Sequence, residues 1–247
     1  MPTLTGTTTG GFPVAAAAFT VAFSLVHLLS GREEVPDPTR RRTLLSGAGG
    51  ASVAYIFVLL LPEVSEAALL VGELRGDALL TEQLVYLGAL SGFVAFYGVE
   101  VFVAHRSGES AAEAPLVFWS HVGVFGLYSA LIGFLLFHQE RPGLLNLSFY
   151  ALAMALHFLV TDYGLRQHHG RAFHDRGRWV LAVATLLGGA VGFWTDIGGI
   201  PLAMLFAFVA GALVLNVIKE ELPALDESRF AAFLVGVVAS SVLLLLA

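Results

Sequence analysis

Apolar residues along this chain form long unbroken runs separated by short polar breaks, not the alternating or three-and-four-spaced pattern of a soluble fold. A helix needs about twenty such residues to cross roughly 30 Å of hydrocarbon, and runs of that size recur from one end of the sequence to the other. Eight transmembrane helices are predicted, over residues 12–30, 45–68, 84–104, 116–137, 145–165, 179–195, 201–218 and 230–247. Residues 1–247 therefore read as a single all-α, polytopic transmembrane domain. The opening MPTLTGTTTGG has no positive charge ahead of its apolar run, unlike a cleaved signal peptide, and is read as a short lead into the first span.

Composition agrees with the pattern. Hydrophobic residues make up 57% of the chain and charged ones 13%, a surface that a soluble domain of this size could not hide. A net charge of -6 is no nucleic-acid signature. The chain has no cysteine, which excludes disulfides and thiolate metal sites and leaves nitrogen and oxygen as the only metal donors.

The basic residues set an orientation. With the N-terminus outside, the inner breaks carry Arg32, Arg40 to Arg42, Arg106, Arg166, Arg171, Arg176, Arg178, Lys219 and Arg229, and the outer ones only Arg75 and Arg141. That asymmetry is the positive-inside pattern, and it puts both termini outside a cell (inner) membrane. The break after the second span gathers Glu63, Glu66, Glu73, Asp77 and Glu82. It reads either as a solvated loop or as an acidic mouth that concentrates cations. Small residues such as Gly47, Gly49, Gly50, Gly188, Gly189 and Gly211 read as helix-packing positions, since no strand precedes them and no phosphate-loop motif is present.

Ionisable groups inside the spans are the candidate chemistry, because at that depth they are costly unless they serve one another or an ion. His121 lies in the fourth span, and His157 and Asp162 in the fifth. Thr161 and Tyr128 add hydroxyls. Helical geometry puts 157 and 161 on one face and turns 162 about 140° away from 157. His27 reads as a packing histidine bonded to a neighbouring helix more readily than as a ligand. Glu100 is expected to pair with His105 or Arg106, or to lie on an exit path. Asp196, Glu220 and Glu221 fall at helix ends. The segment RQHHGRAFHDRGR holds His168, His169 and His174 among four arginines, which would repel a cation handed to them.

The stretch SGAGGASVAYIFVLLLPEVSEA resembles the second helix of the ZIP metal-ion transporters, and the two closing spans, PLAMLFAFVAGALVLNVIKEELPALDESRFAAFLVGVVASSVLLLLA, resemble that family's last pair. The resemblance implies the same eight helices with both ends outside. In the family's fifth helix a motif of the form H-E-x-P-H-E holds the metal. The corresponding HFLVTD keeps His157 and Asp162, with Phe158 and Thr161 where a carboxylate and a second histidine would stand. In the fourth span His121 takes the ligand place in one register, and Val124 and Tyr128 take it in the other. Leu59 stands where the second helix often has a histidine, ahead of Pro62 and Glu63.

The resemblance implies a divalent, zinc-like metal-ion transporter with a thinned ligand set: His157, Asp162, His121, Thr161 and Tyr128. The metal is its substrate, and it is not read as an enzyme. Its expected partners are the lipid bilayer and that cation, with no nucleic acid and with a homodimer left open. Two alternatives stay beside it: a non-transporting ZIP-like membrane protein with a structural or sensing role, and a metal-dependent membrane enzyme. The last lacks an H-E-x-x-H motif. A haem bundle, which colour would reveal, is a further alternative.

Overall fold

A computed structural model of the chain describes residues 12–30, 37–75, 78–106, 114–139, 143–222 and 229–245, and these contain helices and no strand. The N-terminal lead, Arg32, Asp77 and Arg141 lie outside them, as do the side chains of Arg75, Glu220 and Glu221.

The first helix, α1 (Pro13–Leu29), begins at a proline, whose fixed φ suits a first turn. Asp37 opens the next by accepting a hydrogen bond from the Thr39 amide at 2.9 Å. α2 (Pro38–Tyr55) then runs through a π turn (Ile56–Leu60) into α3 (Leu61–Arg75) without a break. Pro62 explains the turn. It has no N–H to return to residue 58, and its ring crowds that carbonyl, so the helix widens ahead of it instead of ending.

Beyond it lie α4 (Ala78–Arg106), α5 (Ala114–Leu135) and α6 (Leu144–His169). A second π turn (Phe173–Gly177) leads into α7 (Arg178–Trp194), and α8 (Gly199–Asn216) passes through a third (Val217–Glu221) before α9 (Phe230–Leu245).

Among the described residues, six stretches are long and apolar enough to cross a membrane: Thr39–Leu74, Glu82–Arg106, Pro115–Leu135, Leu144–His169, Phe173–Trp194 and Gly199–Lys219. That is the build of a multi-pass membrane protein. α1 and α9 are apolar too, at 17 and 16 residues. Large apolar side chains stand outward across the surface, Trp194 at 80% and Phe230 at 72% exposure, as a hydrocarbon solvent allows and water does not.

The helices overrun the expected spans. Glu63, Glu66 and Glu73 are helical residues of α3 and Glu82 of α4, so the acidic stretch after the second span is mostly helix and not loop. Arg40 to Arg42 likewise belong to the first turns of α2, and Arg166 to the last turn of α6. The hydropathy of a span marks where hydrocarbon would be. It does not mark where backbone hydrogen bonding stops.

The tightest packing sorts the helices into two groups. α5 and α1 lie on α7, and α1 also on α6; α2 lies on α9, α4 on α8, and α3 on α4 and α8. Glycines seat the main pairs. A methyl group at Gly211 would overlap the Ala89 carbonyl and one at Gly92 that of Phe208, both in the α4–α8 pair. Gly188 meets Ala130 in the α5–α7 pair, and Gly50 and Gly236 meet backbone in the α2–α9 pair. Between the groups the contact is thinner, chiefly α4 on α5 and α6 on both α2 and the π turn after α8.

Candidate functional site

α6 is the spine of the ionisable set. His157, Thr161 and Asp162 are all buried on it, and the 140° turn between 157 and 162 aims them at different neighbours. Asp162 faces α1. Its two carboxylate oxygens lie 3.0 Å from His27 Nδ1, and the hydroxyl of Ser30 donates to Oδ2 at 2.7 Å. The His27 and Asp162 side chains are 1% and 0% exposed, so the pair is sealed from solvent. In the neutral tautomer with Nδ1–H donating to the carboxylate, the other ring nitrogen carries a lone pair. Nε2 has no hydrogen-bond partner among the described residues, and the Phe158 ring lies 4.4 Å from the imidazole.

His157 faces α5. Its ring meets Tyr128 edge-on at 5.6 Å, and its Nε2 lies 3.5 Å from the Thr161 hydroxyl. Tyr128 in turn packs on Phe96 of α4 at 5.1 Å. These residues therefore sit at the seam between the two helix groups.

His121 belongs to a third cluster at the end of the bundle where α4 and α6 finish. Its Nε2 lies 3.2 Å from Glu100 Oε1 and its Nδ1 3.0 Å from His169 Nε2. If His121 donates to Glu100 through Nε2, its Nδ1 accepts from the His169 N–H. The second Glu100 oxygen takes the Lys219 ammonium from the π turn after α8. Glu100 thus pairs across helices, with His121 and Lys219, and His105 bonds its own helix through the Val101 carbonyl. His169 is half-buried in this network and does not lie in a loop.

Five expected ligands are thus spread over three neighbourhoods: Asp162 with α1, His157 with Tyr128 and Thr161, and His121 with Glu100. Among the described residues, no group of three or more His, Asp or Glu side chains converges as a metal site would. At the opposite end, Glu63, His138, Gln139 and Tyr150 line a cavity of about 10 Å³, room for about one water. The Ser52 and Tyr55 hydroxyls and the whole Asn216 amide are buried with no hydrogen-bond partner among the described residues. Such groups are few in folded proteins.

Sequence reading missed the Asp162–His27–Ser30 unit, although a signal was present. His27 and Ser30 are one turn apart near the end of the first span, and Asp162 is near the end of the fifth, which runs in the same direction. Equal depth made them candidates for one another. Asn216 carried no such signal. Compared with known proteins, the chain matches no protein-family model and no curated protein.

Proposed function

We propose that the chain is a membrane carrier for a divalent, zinc-like metal cation, with eight spans in a ZIP-like arrangement and both termini outside a cell inner membrane. The observation that carries this reading is the fully buried Asp162–His27 pair inside apolar helices, because ionisable groups at that depth mark ion or proton pathways. The packing supports it. Two tightly seated helix groups meet along a thinner seam, which is what alternating exposure of a site requires.

In this reading Asp162 supplies the counter-charge on the α1 side of α6, and His157 a nitrogen donor on the α5 side, with the Thr161 and Tyr128 oxygens beside it. The cation displaces His27 from the carboxylate. His121 and Glu100 lie further along, where they relay the ion toward the arginine-rich end. A non-transporting relative is the second reading, favoured by the closed His27–Asp162 bond and by the lack of a three-donor cluster among the described residues.

Calorimetry separates the binding claim from its alternative. Purified protein is expected to bind Zn²⁺, Cd²⁺ or Mn²⁺ near one per chain, and His157→Ala to remove most of that binding. Equal binding by the double variant His157→Ala, Asp162→Ala rejects the site.

A further inference from the structure

A cavity of about 750 Å³ opens between α2 and α6, beside the end of α1. One part of its wall is cationic, with Arg41 from the first turns of α2, Arg166 from the last turn of α6, and Arg171 just beyond it. Gly170, with φ of 54°, ends α6 and turns the chain so that Arg171 and His174 return along the wall. Among the described residues no carboxylate pairs with any of the three arginines, and the Arg166 guanidinium is steadied over the Tyr163 ring at 5.5 Å. Leu44, Leu45, Leu156 and Leu159 give the wall an apolar stretch, and Ser30, Gln167 and His174 add polar groups to it.

This charge repels a metal cation, so the cavity is no branch of the path proposed above. A small soluble anion would use the arginines and leave the leucines in contact with water. A ligand with a phosphate at one end and a hydrocarbon chain at the other satisfies both walls, and basic pockets between helices at the arginine-rich end of a membrane protein suit such headgroups.

We propose that this cavity binds an anionic phospholipid, its phosphate held by Arg41, Arg166 and Arg171 and its acyl chain lying along Leu44, Leu156 and Leu159. α2 and α6 belong to different helix groups, so the lipid bridges the seam. Ser30 also lines the cavity and donates to Asp162, which brings the lipid within one hydroxyl of the buried pair.

The test is native mass spectrometry of the full chain in detergent, with phosphatidylglycerol or phosphatidylcholine added in equal amounts. Phosphatidylglycerol is expected to be retained preferentially, and Arg41→Gln, Arg166→Gln and Arg171→Gln each to weaken it about fivefold. The triple Arg→Lys variant, which keeps the charges, should retain the preference, whereas the triple Gln variant loses it while keeping the wild-type circular dichroism spectrum. Excess inorganic phosphate should not displace the lipid. Equal retention of the two lipids, or an undiminished preference in the triple Gln variant, overturns the proposal. Displacement by phosphate alone assigns the site to a free anion and overturns it equally.

Discussion

Asp162 is held by one imidazole and one hydroxyl in a place closed to water, so the worth of each donor is set by what its removal leaves behind. Truncating one partner of a buried pair strands the other, at about 3–5 kcal/mol, whereas replacing both with apolar groups costs much less. His27→Ala is therefore expected to lower the unfolding temperature in detergent more than the double variant His27→Leu, Asp162→Leu does. Destabilisation by the double variant equal to the sum of the single losses would show that the two residues do not act as a pair. At this scale the sequence was informative about which side chains matter and silent about whom they meet. The spans fixed the depth of His27, Glu100, His121 and Asp162. Azimuth about each helix axis, which decides partners, depends on packing that no single span contains.

Helix pairs seated by glycine make a second kind of prediction. A methyl group at Gly211 or Gly92 has to push α4 and α8 apart, so Gly211→Ala is expected to cost about 1–3 kcal/mol, as overpacking does. Gly98 and Gly123 have open space where a Cβ would go, and alanine there should be neutral or stabilising by about 0.5–1 kcal/mol through helix propensity. Thermal melts of the three variants decide it, and equal destabilisation of all three would remove the close-approach argument. The apolar runs made the helices themselves legible, together with the small residues that pack them. The π turn before Pro62 and the helical overrun that carries Glu63, Glu66 and Glu73 were not legible, because hydropathy reports the solvent around a helix and not its hydrogen bonding.

For the whole molecule, the proposed orientation rests on the sequence's uneven spread of basic residues between alternate breaks. A cysteine at Ala172 is expected to react with an impermeant reagent only from the cytoplasmic side, and one at Gly198 only from outside. Both positions are exposed, and the chain has no native cysteine to confuse the reading. Labelling of both from one side would break the eight-span arrangement. The grouping of helices around a thin seam was invisible in the sequence, since it is a property of which runs lie side by side. The central claim is carriage of a cation along α6 with Asp162 as its counter-charge, and uptake into proteoliposomes tests it most directly. Zn²⁺, Mn²⁺ or Cd²⁺ uptake should saturate, and Asp162→Asn, which keeps the shape and removes the charge, should reduce it at least tenfold, about 1.4 kcal/mol of lost stabilisation. Wild-type vesicles that take up none of these ions above empty vesicles, or an Asp162→Asn variant that carries them at the wild-type rate, would contradict the account.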